Sequence, residues 1–146
     1  MEYEETTPST ALLETPQQVE DSMRTDGVRV AVGQLRESGT AVGCVRFRIA
    51  KESLEFFRLA VVPEARGRGI ADALLRWLEV AAEHEGVTSL TCSVRMGVAR
   101  NVQLYLRRGY RQSGESLVTA VDGSPLRVGT LVKTLRPAAA AAGRRE

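Results

Sequence analysis

Four residues near the middle of the chain, Arg66-Gly67-Arg68-Gly69, combine positive charge with flexible backbone directly before an apolar helical pattern. The first N–H groups of a helix lack intrahelical partners and lie at the positive end of the helix dipole, so they attract anions. Gly67 and Gly69 carry no side chain that would keep a phosphate from those groups, and the arginines add charge-assisted hydrogen bonds. The loop therefore predicts a site for a phosphate-bearing molecule; a tight turn with solvated arginines is the alternative.

Two common phosphate-binding loops do not fit these residues. A P-loop needs Gly-x4-Gly-Lys-Ser/Thr, and no Lys-Ser or Lys-Thr pair directly follows these glycines. The dinucleotide fingerprint needs a third glycine where Asp72 stands, and the Asp72 carboxylate would repel a pyrophosphate. Nucleoside triphosphate hydrolysis and NAD binding are therefore not favoured.

The cysteines and the one histidine do not indicate a metal site or a disulfide framework. Cys44 and Cys92 lie in strand-like runs without metal-ligand spacing, and we interpret them as reduced core thiols. His84 falls near the end of a predicted helix, where a cation suits the helix dipole, and we interpret it as a surface residue. No bound metal is expected.

Charge is distributed unevenly along the chain. Residues 1–26 carry seven acids and one base, so the rest carries about +8, mostly as arginine, the side chain that best matches phosphate geometry. A basic body suits nucleic acid or an anionic cofactor. Nucleic-acid binding is the less favoured hypothesis. Aromatic residues, on which single-strand binders stack bases, make up only 5%, and no recognition motif is visible.

The composition is typical of one soluble domain, with 43% hydrophobic and 26% charged residues in 146. The apolar runs are far too short to span a bilayer, and no signal-peptide pattern is visible. We expect one folded domain over 15–136, a disordered acidic segment over 1–14, a low-complexity tail over 137–146, and a cytoplasmic location.

The elements that position the loop follow from hydrophobic periodicity. Residues 70–85 predict a helix whose apolar stripe includes Leu74, Trp77 and Leu78, and which ends at Gly86. The predicted order is a short helix capped by Thr15, a hairpin of strands 28–35 and 40–50, a strand over 54–62, the helix over 70–85, a strand over 87–94, a helix over 100–109, and a hairpin of strands around 116–121 and 126–135. The strands flanking the helix over 70–85 should lie parallel and adjacent.

The motif Arg66-x-x-Gly69-x-Ala71 resembles the Arg/Gln-x-x-Gly-x-Gly/Ala loop of the GNAT superfamily of N-acetyltransferases. The stretch LAVVPEARGRGIADALL is similar to the strand–loop–helix core of that family, and LYLRRGY to its Leu-Tyr-x-x-x-Gly-Phe/Tyr segment. The resemblance covers about residues 28–135. It implies an α/β fold with a mixed, mostly antiparallel central sheet, flanking helices, and a V-shaped splay between the strand at 54–62 and the strand at 87–94.

The same resemblance implies acetyl-CoA, or another acyl-CoA, as co-substrate. Its pyrophosphate would bind the N–H groups of residues 67–71, and its pantetheine arm would lie in the splay like an added strand. The cofactor-binding residues implied are Leu59, Ala60, Val61, Arg66, Gly67, Arg68, Gly69, Ile70, Ala71 and Asn101. Cys44 and Cys92 would lie on strands separated by a third strand, beyond disulfide reach.

Amide formation from a thioester needs a neutral amine, a stabilised oxyanion and a proton for the leaving thiolate. The position of Tyr105, four residues before Gly109, implies that it is the proton donor; a core tyrosine is the alternative. Glu55 is the candidate base, with Glu52 as a substitute; a solvated strand glutamate is the alternative. A backbone N–H near Val61 would stabilise the oxyanion.

The sequence departs from the family pattern in two places. Val98 stands where the family often has asparagine, seven residues before the tyrosine, and Asn101 follows one helical turn later. The segment before Val28 is short for the usual first strand and helix pair, so we expect an acceptor side that is open or completed by a second subunit, with homodimerisation through the terminal strands. The implied function is acetyl transfer to a primary amine of a small molecule or protein; a non-catalytic CoA-binding regulatory module is the alternative.

Overall fold

The computed structural model describes residues 15–135, so the expectations for segments 1–14 and 137–146 lie outside the described residues. Three helices and six strands follow in chain order. They are α1 (Pro16–Thr25), β1 (Arg29–Gln34), β2 (Ala41–Ala50), β3 (Ser53–Val61), α2 (Ile70–Glu85), β4 (Ser89–Arg95), α3 (Ala99–Arg107), β5 (Arg111–Thr119) and β6 (Pro125–Thr134). The predicted fold class, α/β with a mixed and mostly antiparallel sheet, is confirmed.

The six strands form one sheet in the order β1-β2-β3-β4-β6-β5, and only the β3–β4 pair is parallel. That pair is joined through α2, as expected for a strand–helix–strand crossover. β3 and β4 pair over just three residues each, 53–55 with 89–91. β3 then stays with β2 up to Val61 and β4 stays with β6 up to Arg95. The predicted splay is therefore present, and we call the space between residues 56–61 and 92–95 the cleft.

A β-bulge bends β3 along the cleft. Arg58 and Leu59 together lie opposite Val45 of β2, and Arg58 adopts a left-handed backbone with φ of 57°. One extra residue reverses the alternation of a strand. Leu54 and Phe56 before the bulge, and Leu59 and Val61 after it, are therefore all buried although they differ in parity.

The helix α2 begins and ends where the sequence predicts, and Gly86 closes it in a left-handed conformation with φ of 76°. Its buried residues are Leu74, Leu75, Leu78 and Ala82. The predicted place of Trp77 in the apolar stripe is wrong, because this side chain is 48% exposed. At 100° per residue it lies about 115° from the centre of the buried face. It packs edge-on against Phe47 at the rim of the core, with ring centroids 5.5 Å apart.

A glycine on β2 allows the first turn of α2 to approach the sheet closely. A Cβ at Gly43 would lie 3.0 Å from the Ala60 carbonyl oxygen and 3.1 Å from Ile70 Cγ2, closer than ordinary packing permits. The start of α2 is therefore fixed against β2 and β3. This contact sets the position of the glycine–arginine loop relative to the cleft.

The ends of the described chain pack least. Thr15 caps α1 through a capping box with Gln18, as predicted, yet α1 buries none of its residues. The terminal hairpin is also present, but β5 begins at Arg111 rather than near residue 116. All of its nine residues are exposed. Its first half carries no apolar pattern, because it is held by pairing with β6 and not by burial.

Candidate active site

The loop before α2 is shaped by glycines in the left-handed region. A single 3-10 turn, Pro63–Ala65, follows β3, and Gly67 and Gly69 then adopt φ of 80° and 78°. Gly69 is the N-cap of α2 and has no side chain that could cap the helix. Its carbonyl accepts a hydrogen bond from the Ala73 N–H at 2.9 Å. The first N–H groups of α2 therefore bind no capping side chain and are available to bind an anion.

The side chains of the loop divide into two groups. Arg68 is exposed and Arg66 is partly buried, whereas Ile70 and Ala71 pack against the core, so only their backbone can serve a ligand. A cavity of about 340 Å³ borders the loop. Its lining residues are Leu35, Thr40, Ala41, Val42, Val62, Glu64, Ala65 and Arg68.

The predicted pantetheine-binding residues lie along the cleft. Ala60 and Val61 pair with Cys44 and Gly43 on the β2 side, and β4 makes no ladder pair with any β3 residue after Glu55. The side chains of Leu59 and Val61 are buried and that of Ala60 is exposed. An extended ligand in the cleft would therefore meet β3 through its main chain.

The predicted proton donor lies at the closed end of the cleft. Tyr105 is a buried residue of α3, and its ring centroid is 6.0 Å from that of Phe56 and 5.6 Å from that of Tyr110. Phe56 is the first β3 residue after the last β3–β4 pair. This contact places Tyr105 at the point where the two strands diverge, on the face of the sheet that α2 and α3 cover.

The predicted base lies at the same point on the opposite face. Glu55 belongs to the last β3–β4 pair, opposite Thr91, and its side chain alternates with the buried Leu54 and Phe56. Its carboxylate is 38% exposed and accepts a hydrogen bond from Arg48 Nε at 3.1 Å. The proposed substitute, Glu52, lies in the turn before β3, away from the cleft, so the fold does not bring it to the site.

Asn101 is one helical turn before Tyr105 on α3 and is buried to a similar degree. Residues four apart in a helix are neighbours on one face, so Asn101 and Tyr105 share the buried face of α3. Val98, where the family often has asparagine, is buried at the N-cap of α3.

A cluster of charged side chains that the sequence analysis did not identify joins α2, α3 and β6. Arg108 donates to Asp72 Oδ1 at 3.1 Å and to Glu79 Oε2 at 3.0 Å, and Lys133 Nζ donates to Glu79 Oε2 at 2.9 Å. Burial alone would lower the pKa of Arg108, but the hydrogen bonds and charges of Glu79 and Asp72 outweigh it and raise the pKa. We call these four residues the charge cluster.

Two further polar groups are buried beside the site. The Tyr110 hydroxyl has no hydrogen-bond partner among residues 15–135, and burial raises the pKa of this tyrosine. Burial also raises the pKa of the Cys92 thiol, to about 12. Cys92 and Cys44 are unbridged thiols on β4 and β2, with β3 between them, as expected, but only Cys92 is a core residue, because Cys44 is half-buried.

Other features of the described chain lie apart from the cleft. An apolar groove of about 360 Å³ runs between β1 and α2 at the edge of the sheet, with Trp77 in its lining. His84 is exposed in the last turn of α2, as interpreted from the sequence. Within residues 15–135 no group of acidic, cysteine and histidine side chains is arranged to hold a metal ion, and no helix there is long and apolar enough to cross a membrane.

Comparisons with known proteins give a consistent result. Residues 2–110 match the model of the Acetyltransferase (GNAT) family. Among curated relatives, N-acetyltransferase 8 of Mus musculus is 32% identical over 103 residues, which is 66% of this chain and 44% of that protein. N-acetyltransferase 8 of Rattus norvegicus is 34% identical over 68 residues, 47% of this chain and 31% of that protein. The chain thus spans less than half the length of the curated relatives it matches.

Solved structures share the architecture. The ribosomal-protein-alanine N-acetyltransferase from Brucella melitensis superimposes with a TM-score of 0.67 and 26% identity, over 82% of this chain and 75% of that chain. A GNAT family acetyltransferase from Elizabethkingia anophelis, whose structure has acetyl-CoA bound, gives a TM-score of 0.68 over 91% of this chain and 95% of that chain. At 15% identity, the second likeness concerns the fold alone.

Proposed function

This chain belongs to the GNAT family of acetyltransferases, and from that premise we propose that it transfers the acetyl group of acetyl-CoA to a primary amine by direct attack of the amine on the thioester. The observation that carries the proposal is the cleft between β3 and β4, which begins beside Tyr105 and Glu55 and runs toward the N-terminus of α2. An anion site and candidate acid and base groups therefore border one extended space.

The cofactor would be held mainly by backbone. Its diphosphate would accept hydrogen bonds from N–H groups of residues 67–71, with Arg66 and Arg68 adding charge. Its pantetheine arm would follow the β3 edge at Leu59, Ala60 and Val61, where β4 has diverged. The Asn101 amide would face that arm from α3.

The chemistry divides between the two faces of the sheet. The amine nitrogen attacks the thioester carbonyl carbon and forms the C–N bond, while a backbone N–H near Val61 stabilises the oxyanion. The C–S bond then breaks as the Tyr105 hydroxyl gives its proton to the departing CoA thiolate, and the second proton that the nitrogen loses on becoming an amide returns the Tyr105 phenolate to the phenol. Glu55, on the opposite face, takes a proton from the incoming ammonium group through water. Because the amine and the thioester are held side by side, this route needs no covalent enzyme intermediate.

The acceptor is proposed to be a primary amine on a small molecule or a protein. The mouse relative is named an N-acetyltransferase and the Brucella structure a ribosomal-protein-alanine N-acetyltransferase, which supports transfer to nitrogen. A CoA-binding regulatory module without turnover is the competing function.

Two measurements on the purified chain test the proposal. Isothermal titration calorimetry should show uptake of CoA, and incubation with acetyl-CoA and a panel of amines should release free CoA thiol together with the N-acetyl product. Uptake without thiol release for any amine would favour the regulatory module. Absence of CoA uptake would overturn the proposal altogether.

Gly69→Ala, with Gly86→Ala as its matched control, tests the diphosphate site. Both glycines have nearly the same left-handed φ, 78° and 76°, and a Cβ at either would meet no atom within 4 Å. Each substitution should cost about 1 kcal/mol of stability. The two sites lie about 25 Å apart along α2. We expect the Kd for CoA to rise at least tenfold in Gly69→Ala and less than twofold in Gly86→Ala; equal Kd values in both variants would contradict the site.

A further inference from the structure

We propose that Arg108 is a positioning residue of the transfer reaction: it neutralises Asp72 beside the diphosphate site and holds α3, which carries Tyr105, against α2. This inference rests on the proposed function, since it concerns the same cofactor site. It assigns a role to the charge cluster, which neither the phosphate loop nor the acid and base candidates explain.

Asp72 is placed where its charge affects anion binding. It is the third residue of α2, in the same turn whose N–H groups would take the diphosphate. A carboxylate there suits the helix dipole while no anion is bound, but it repels an incoming diphosphate. A cation that neutralises Asp72 would therefore favour CoA binding at this helix terminus.

Arg108 is better placed to do so than the other cation on Asp72. Arg76 Nη2 lies 3.4 Å from Asp72 Oδ2, and the Arg76 side chain is 68% exposed, so solvent screens this pair. Arg108 Nη1 lies 3.1 Å from Asp72 Oδ1, and its side chain is only 19% exposed. Partial burial strengthens the interaction between charges.

The same guanidinium joins three elements. Arg108 is the C-cap of α3, and its N–H donates to the Tyr105 carbonyl at 3.0 Å. Through Glu79 it reaches a point two helical turns along α2 from Asp72, where Lys133 of β6 also binds. A planar guanidinium can hold two carboxylates at once in fixed directions, which the single ammonium of lysine does not reproduce. The position of Tyr105 relative to α2 therefore depends on this side chain.

Arg108→Met and Arg108→Lys separate the two effects. We expect Arg108→Met to raise the Kd for CoA about tenfold and to lower kcat about tenfold. In Arg108→Lys the Kd should be within threefold of the wild-type value, because the positive charge is restored. The kcat should stay reduced, because lysine cannot hold two carboxylates at once in fixed directions. Arg76→Met, the matched control on the same carboxylate, should change the Kd less than twofold.

A double variant and a truncated substrate identify the cause. Asp72→Asn combined with Arg108→Met should restore the Kd for CoA to within threefold, because the repelling charge is gone, but should not restore kcat. With S-acetylpantetheine, which lacks the diphosphate, Arg108→Met should show no rise in KM. A merely structural defect would leave the Kd of the double variant for CoA raised and would also raise the KM of Arg108→Met for S-acetylpantetheine. That result would overturn the inference.

Asp72→Asn alone keeps the test decisive if Arg108→Met fails to fold. Arg108 retains Glu79 in that variant, and CoA should bind several-fold more tightly than to the wild-type chain. An unchanged Kd would overturn the inference while leaving the proposed function intact. Wild-type protein that takes up no CoA would instead overturn the proposed function, so the two failures are distinguishable.

Discussion

Two tyrosines five residues apart contact the same Phe56 ring, yet we assign chemistry to only one of them. Tyr105 lies where β3 and β4 diverge and matches the tyrosine of the family segment. Tyr110 follows α3, and its hydroxyl is buried without a hydrogen-bond partner among the described residues. Removing each hydroxyl in turn therefore tests the proton donor, because both rings pack on Phe56 and only the Tyr105 hydroxyl is assigned a role in the reaction.

Tyr105→Phe should lower kcat roughly 100-fold, the range typical of losing a general acid, and leave the KM for acetyl-CoA within twofold. Steady-state kinetics monitoring thiol release provide the measurement. Tyr110→Phe is the control: kcat should stay within twofold, and the free energy of unfolding should stay the same or rise by up to about 1 kcal/mol, because an unsatisfied buried hydroxyl is removed. Equal losses of kcat in both variants would argue against Tyr105 as the proton donor.

The buried Cys92 thiol makes stability depend on pH in the alkaline range. Burial raises its pKa from an ordinary value of 9.0 to about 12, so above pH 9 the unfolded chain loses this proton before the folded chain does. Folding stability must then fall as pH rises through this window. Between pH 9 and pH 10 the thiol alone should remove about 1 kcal/mol.

Urea unfolding at pH 8, 9 and 10 measures this effect, with Cys92→Val as the reference. The variant should lose about 1 kcal/mol less than the wild-type chain between pH 9 and pH 10. Other groups that titrate there are present in both proteins, so their contributions largely cancel. Parallel pH profiles would show that Cys92 is not the group responsible.

At the scale of single elements, α2 was the most predictable part of the chain. Gly69 and Gly86 bound a periodic apolar pattern, and left-handed glycines mark helix ends on steric grounds. The loop and Tyr105 could likewise be proposed as site residues from the sequence, because their motifs are local. The predicted burial of Trp77 is wrong, since the apolar stripe spans more of the helix than the sheet covers.

What the sequence analysis missed depends on contacts between distant segments. Arg108 and Asp72 are 36 residues apart, and nothing local distinguishes Arg108 from the other arginines of the chain. The bulge in β3 was also missed: the buried residues change from even positions, Leu54 and Phe56, to odd ones, Leu59 and Val61, but other apolar residues stand between them and hide the change in the sequence. Such a change of phase inside one strand requires an extra residue.

The bulge makes a prediction about Arg58, which adopts a left-handed φ of 57°. In an ordinary strand glycine is less stable than alanine by roughly 0.5–1 kcal/mol. At Arg58 the order should reverse, with Arg58→Gly about 1 kcal/mol more stable than Arg58→Ala, because only glycine adopts this backbone without strain. Both substitutions delete the same side chain, so their difference in urea unfolding isolates the backbone. Alanine being the more stable of the two would mean that the strand runs without a bulge.

At the scale of the whole molecule, the exposed edge of the sheet bears on the predicted homodimer. All nine β5 residues are exposed, and Leu117 is the most exposed large apolar side chain described, at 71%. The irregularity between Gln112 and Gly114 and the charge of Glu115 protect the first half of this edge, but its second half is a template for pairing with another chain. We therefore predict that two copies associate through their β5 edges.

Light scattering coupled to size exclusion at micromolar concentration should give twice the chain mass of 15.9 kDa. Leu117→Lys should convert the dimer to a monomer, because a charge would have to be buried in the contact. Val80→Lys, at an exposed apolar position on α2, is the control and should remain dimeric. A wild-type protein that elutes as a monomer would rule out this association.

The brevity of the β3–β4 pairing has a mechanical consequence. With only three residue pairs in common, the sheet consists of two three-stranded blades, β1-β2-β3 and β4-β6-β5, hinged at one end and spanned by α2. An extended ligand that filled the cleft would bridge the two blades and make the sheet continuous. Ligand binding in the cleft and stiffening of the sheet would then occur together. The melting temperature of the protein should therefore rise with ligand concentration, as linkage requires.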